Sequence, residues 1–359
     1  MRWTRAVNRS ATALVFPGQG TQRVGMGLDV RDAFPAARAV FEEIDEALER
    51  DLSGMMFHGD AADLRRTDNA QLAVFALSAA MLAVLRTEGA SDEVLGVRAV
   101  LGHSLGHFSA AHAAGVLPLA AAAHVVRSRG EAMRDAFATA AAASDRLHAM
   151  VAALPLSHDD AVALVAELEQ TWAAAADEGG GGGARRGAHV CAVANVNSPT
   201  QVVLSGYDDD VAAAVALGKA SYGVRRALPL DVGAPFHCAL MAPAAEALRA
   251  TLDRAELAPP RVALLSNVTG VPLPLQGEEG GDVRQSIAKD MVRQLTAPVL
   301  WSRCVASAAA PPLDCVRFIE LGGSGALGRL VKQCVHTAQC DAVGDAAALG
   351  ELLRSLEAE

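Results

Sequence analysis

A chain of 359 residues with 31 Lys and Arg against 41 Asp and Glu has a formal net charge of −10, which argues against a nucleic-acid binder. The length suffices for about two domains, or for one large domain with an insertion. Hydrophobic residues make up 52% of the chain and aromatics only 4%, so a globular, alanine-rich fold is expected, not a disordered or fibrous one.

The first 14 residues carry Arg2, Arg5 and Arg9 with Thr4, Ser10 and Thr12, and no acid precedes Asp29. That composition fits an organellar transit peptide and a mitochondrial location, with cytoplasmic or plastid residence as alternatives. A short basic tail is the plainer reading. Residues 13–16 read as a strand that breaks at Pro17, residues 34–49 as an amphipathic helix, and residues 70–86 as a largely buried one. Residues 97–101 form a strand-like run, apolar except for Arg98, followed by helical stretches over 109–114 and 119–143 that break near Gly115 and Pro118. Such alternation predicts a parallel α/β sheet covered by helices.

The pattern then changes. Strand signals over 149–154, 190–194, 202–205 and 224–230 bracket helical ones over 159–172 and 208–219. The order β-α-β-β-α-β predicts a small ferredoxin-like α+β subdomain over 148–231, inserted into a large α/β domain of residues 15–147 and 232–359. Its run of glycines from Gly179 to Gly183 lacks the Lys and Ser/Thr of a phosphate loop and reads as a surface insertion. The cysteines (Cys191, Cys238, Cys304, Cys315, Cys334, Cys340) show no C-x-x-C pair, so reduced thiols are expected and no metal site. No apolar run reaches membrane-spanning length without a charge or Pro, and no membrane association is expected.

Chemistry concentrates at Gly102-His103-Ser104-Leu105-Gly106, between the strand over 97–101 and a long Ala-rich helical region. Strand, glycine-flanked serine and helix is the context of a nucleophile elbow, in which the tight turn exposes the hydroxyl near a helix N-terminus. Upstream, Phe16-Pro17-Gly18-Gln19-Gly20-Thr21-Gln22 forms a glycine-rich loop able to offer a backbone N–H to an oxyanion. Downstream, Pro235-Phe236-His237 places a histidine before an apolar helix. Arg129, in Arg127-Ser128-Arg129-Gly130, lies in an otherwise apolar helix, where a charge is either a structural ion pair or a clamp for a substrate carboxylate.

Taken in order, these segments resemble the malonyl-CoA:acyl-carrier-protein transacylases, whose fold also occurs in the acyltransferase domains of polyketide synthases. The resemblance runs from Phe16 through Ala194-Asn195-Val196-Asn197-Ser198-Pro199, Leu264-Leu265-Ser266-Asn267-Val268-Thr269-Gly270 and Arg293-Gln294-Leu295-Thr296-Ala297-Pro298-Val299 to Phe318-Ile319-Glu320-Leu321-Gly322. It implies an α/β-hydrolase-like large domain with Ser104 as nucleophile and His237 as its base. A backbone carbonyl near Gln294 would orient the imidazole in place of a carboxylate. By the same resemblance, the backbone N–H groups of Gln19 and Leu105 form the oxyanion hole and Arg129 holds the malonyl carboxylate. Phe236 limits the space beside the α-carbon, and Gln71, Asn195 and Asn197 line the cleft, with loop capping as the alternative for the two asparagines.

The expected reaction moves malonyl from malonyl-CoA to the thiol of holo-acyl-carrier protein for fatty-acid synthesis, with no bound cofactor, in a monomer. The acidic carrier protein would dock on a basic rim drawn from Lys219, Arg225, Arg226, Arg329 and Lys332. Alternatives are an acyltransferase of polyketide synthesis, a serine hydrolase or thioesterase releasing acyl groups to water, and a non-catalytic acyl-binding protein. Three positions depart from the family: His107 stands where a Glu is usual, while Leu72 and Gly323 each replace a Pro. Any ion pair made by that Glu is therefore absent or reversed.

Overall fold

Among the described residues nine strands, most of them separated by helices, carry the architecture: β1 (Thr12–Phe16), β2 (Val97–Gly102), β3 (His148–Leu154), β4 (Cys191–Ser198), β5 (Gln201–Tyr207), β6 (Arg226–Pro229), β7 (Ala263–Leu264), β8 (Arg317–Leu321) and β9 (Gln339–Val343). They belong to a computed structural model that describes residues 10–143, 145–178, 188–274 and 282–358. One sheet runs β7-β2-β1-β8-β9 with every pairing parallel. All five residues of β1 are buried, because the central strand of a parallel sheet is covered on both faces.

The second sheet runs β4-β5-β3-β6, antiparallel throughout. With helices His158–Glu178 and Asp208–Ser221 between its strands, it has the split β-α-β order expected from the sequence. Leu164, Val196, Val202, Leu204 and Val211 fill a core of its own. Strand β4 is tied to the large domain where Val196 N donates to Val299 O and Val299 N donates to Ala194 O, both at 2.9 Å.

Helix Thr67–Thr87 is long and apolar enough by composition to cross a membrane, yet 83% of that stretch is buried inside the fold. It packs between helices Pro35–Leu48 and Leu119–Ala143 as a core element. Leu72, in place of the family Pro, is a buried residue of this helix. The helix expected over 109–114 starts earlier, at Gly106, because the elbow turn leads into it directly. Strands β7, β8 and β9 have no counterpart among the elements read from the sequence.

One expectation on the chain's irregular segments is narrowed. Thr12–Leu14, the end of the basic N-terminal segment, sit in central β1, and Val316 N donates to Ala11 O at 2.9 Å. Its remainder, residues 1–9, and the glycine run at 179–183 lie outside the described residues. All six cysteines are free, and burial pushes the Cys191 and Cys304 thiols up to about 12. Among the described residues, no group of His, Cys, Asp and Glu is placed to hold a metal ion.

Candidate active site

The turn after β2 is built on missing side chains. A Cβ on Gly102 would overlap the Gly106 carbonyl group and His107 N, and one on Gly106 would overlap the Phe16 carbonyl at the end of β1. His103 N donates to Phe16 O, Gly106 N to His103 O and His107 N to Ser104 O, each at 3.0 Å. Ser104 itself is held at φ 52°, in the left-handed region that L-residues avoid and that elbows use. Gly102→Ala is expected to destabilise the fold by more than about 4 kcal/mol, because the rigid backbone it meets cannot move aside. A Gly102→Ala protein melting within a few degrees of wild type would contradict this packing.

The Ser104 hydroxyl is half-buried and lies 2.8 Å from His237 Nε2. His237 is buried, also in a left-handed conformation (φ 60°), and its Nδ1 lies 2.9 Å from Gln294 O. A carbonyl can only accept, so Nδ1 carries the proton and Nε2 is left to accept from the serine. Burial, then the charge of Arg129, push the His237 pKa down to about 3; the Gln294 carbonyl opposes them, and His103 adds to the depression. The imidazole is therefore neutral at physiological pH and available as a base.

Arg129 projects from helix Leu119–Ala143 and is 1% exposed. Its guanidinium donates to Gln71 Oε1, to Ser104 Oγ at 3.1 Å and to Gln294 Oε1 at 3.2 Å, while its Nε has no hydrogen bond. The Phe108 ring centroid lies 5.2 Å from Cζ. No carboxylate pairs with it among the described residues, which disposes of the structural ion pair. Burial pulls its pKa down to about 9, so it remains a cation at neutral pH.

The remaining expected residues fall into two groups. Gln71 Nε2 donates to Thr67 Oγ1 at 3.0 Å, and Thr67 Oγ1 donates to Gln19 Oε1 at 2.8 Å, so a relay links Arg129 to the loop after β1. The Gln19 side chain thus holds its loop. Neither the Gln19 N–H nor the Leu105 N–H donates to another described residue. The Ser104 N–H, in contrast, is committed to Asn267 Oδ1 at 3.0 Å. Asn197 meets His103 (Nε2 to Oδ1, 2.9 Å) and not the serine, Asn195 is buried at the bridge to Val299, and Phe236 packs in the large core beside His237.

Asn267 carries no role in the sequence reading, yet it grips the elbow from both sides. Its Nδ2 donates to Gly102 O at 2.7 Å, and its Oδ1 accepts from Ser104 N and from Gln294 Nε2. Gln294 Nε2 also donates to Ser104 O at 3.0 Å. The family departures have local explanations. His107 is buried with Nε2 3.5 Å from Asp290 Oδ2, and burial lowers its pKa, so position 107 carries no carboxylate and faces one instead. At Gly323 a Cβ would meet the Glu320 carboxyl as it is placed here, so the glycine suits this side-chain position.

With this geometry in hand, the comparison with known proteins is direct. Residues 13–179 match the acyl transferase domain model. The malonyl CoA-acyl carrier protein transacylase of Bacillus subtilis is 34% identical over 98% of this chain and 98% of its own length. The chain belongs to the malonyl-CoA–acyl carrier protein transacylase family. The Escherichia coli K12 transacylase is also 34% identical, over 95% of this chain and 98% of its own. An acyl-carrier-protein S-malonyltransferase from Bartonella henselae superposes with a TM-score of 0.80 at 33% identity, covering 97% and 99% of the two chains. A malonyl-transacylase in complex with its type II polyketide-synthase acyl-carrier protein gives 0.80 at 31% identity, over 96% and 100%.

Proposed function

We propose that the protein transfers malonyl from malonyl-CoA to the phosphopantetheine thiol of holo-acyl-carrier protein through a malonyl-Ser104 intermediate. The observation that carries this reading is Arg129: a buried cation, without a counter-charge among the described residues, whose guanidinium reaches Ser104. Such a group stays buried at a cost unless an anion completes it, and malonyl brings a carboxylate three carbons from its thioester sulfur.

Each half-reaction uses the same groups. His237 Nε2 takes the Ser104 proton as the hydroxyl attacks the thioester carbonyl, and the oxyanion falls to the free N–H groups of Gln19 and Leu105. Collapse expels the CoA thiolate, which His237 protonates. In the second half, His237 deprotonates the carrier thiol, which attacks malonyl-Ser104 and regenerates the serine. The Gln294 carbonyl supports the imidazolium formed each time. Phe236, next to His237, supports a preference for unbranched malonyl.

Lys219, Arg225, Arg226, Arg329 and Lys332 are all exposed and unpaired among the described residues, which suits an acidic carrier protein. Release to water is disfavoured by the absence of a carboxylate behind His237, which the hydrolase alternative would supply. Incubation with labelled malonyl-CoA, followed by peptide mass spectrometry, tests the reading. Label on Ser104 that holo-carrier protein discharges faster than buffer is expected. No label on Ser104, or discharge to water at the same rate with and without carrier, would overturn it.

A further inference from the structure

Two buried titratable side chains that take no part in the proton transfers meet beneath the elbow. His107 lies on helix Gly106–Ala113 and Asp290 on helix Val283–Arg293, with His107 fully buried and Asp290 9% exposed. Nε2 and Oδ2 face each other at 3.5 Å, and neither has a hydrogen bond of ordinary geometry. The Arg129 charge and the Leu265 backbone also face the imidazole; the Ser266 hydroxyl and Arg293 face the carboxyl.

The contact joins three segments that hold the reacting groups. His107 N donates to Ser104 O at 3.0 Å, one turn from the nucleophile. Asp290 Oδ1 accepts from Ser266 Oγ, the neighbour of Asn267, which grips the Ser104 N–H. Asp290 O accepts from Gln294 N at 2.9 Å, and Gln294 O is the acceptor that fixes the His237 tautomer. Gln294 Nε2 also reaches the elbow directly, donating to Ser104 O at 3.0 Å, and the buried pair adds a second link that joins the two helices themselves.

We propose that His107 and Asp290 act as a positioning pair, setting the Gln294 turn and through it the aim of His237 at Ser104. An imidazole held by one carbonyl is oriented only as well as that carbonyl, and misplacement by about 1 Å can lower a rate about 10²-fold. Plain packing would be met as well by apolar side chains, whereas two facing polar groups prefer a single relative placement. The carboxylate absent from position 107 is thus supplied from the opposite helix.

The proposal rests on the acyl-transfer reading, and the test separates the two. Malonyl-CoA kinetics on the full chain are compared for wild type, Asp290→Leu and Asp290→Asn, alongside ¹⁵N spectra of His237 in the unliganded proteins. Asp290→Leu fills the volume without a polar contact, and a kcat about 10-fold lower with KM within about twofold is expected. Its His237 spectrum should show mixed tautomers where wild type shows only the Nδ1–H form. Asp290→Asn, still able to meet Ser266 and His107, should recover most of kcat and the single tautomer. If Asp290→Leu fails to fold, His107→Gln paired with Asp290→Asn is read against Asp290→Asn by the same two measurements. Wild-type kcat and an unchanged tautomer in Asp290→Leu would overturn the proposal. Wild-type protein that takes up no malonyl would instead overturn the acyl-transfer reading, while the spectra would still report on positioning.

Discussion

Arg129→Ala is expected to lower kcat/KM for malonyl-CoA by roughly 10²- to 10⁴-fold while lowering acetyl transfer far less. Hydrogen bonds to a charged group contribute about 1.5–3 kcal/mol each, and a guanidinium offers a carboxylate two of them. Acetyl has no carboxylate and must leave the cation unpaired, so wild type should discriminate against it and the variant should not. Arg129 also donates to Ser104 Oγ at 3.1 Å, so part of the loss will fall on kcat for every acyl group. The malonyl-to-acetyl ratio cancels that shared part and is the decisive measurement. An unchanged ratio would remove Arg129 from substrate recognition.

The same residue links specificity to stability. Burying a guanidinium without a counter-charge costs several kcal/mol, which substitution would return. The substitution also orphans Oε1 of Gln71 and of Gln294, at about 1–3 kcal/mol each. These effects offset one another, so Arg129→Met is expected to melt within about 5 °C of wild type. Loss of malonyl transfer in a stable protein would then mark a recognition role and not a folding defect.

What the sequence reveals about this site depends on how local each signal is. The elbow is legible because glycine at 102 and 106 answers a close backbone approach, and because a strand and a helix flank it in sequence. The smaller sheet is legible because its strands and helices alternate in chain order. Strand β7, with two residues, is too short for a periodic signal, and edge strand β9 mixes Gln339, Cys340 and Asp341. Asn267 is not legible in the sequence, because its hold on Ser104 spans 163 positions and nothing near it in sequence indicates that contact. His107 stood out as a departure, but only folding shows that Asp290 faces it. The start of the elbow helix was placed late because Gly106 and His107 are poor helix formers, a preference the turn overrides.

His237→Ala is expected to lower acylation of Ser104 by about 10²- to 10⁴-fold, the usual span for a positioned general base. The pH dependence tests the site more sharply. With the His237 pKa pushed down to about 3, the acid limb of kcat/KM for malonyl-CoA should lie well below pH 6.5. Once malonyl occupies Ser104, its carboxylate offsets the Arg129 charge, one of the two leading causes of that depression. The acid limb for discharge to carrier protein should therefore lie at higher pH than the limb for acylation, and coincident limbs would contradict the pairing of malonyl with Arg129. Stability carries the same signature with a defined sign. A histidine whose folded pKa lies below its unfolded value of about 6.5 leaves the unfolded state holding more protons between those values. Stability is thus full above that unfolded value and falls as pH drops toward 3, with His103, His107 and His112 shifted in the same direction by desolvation. His237→Gln removes one such group, so the unfolding free energy of the variant should fall less steeply with acid than that of wild type.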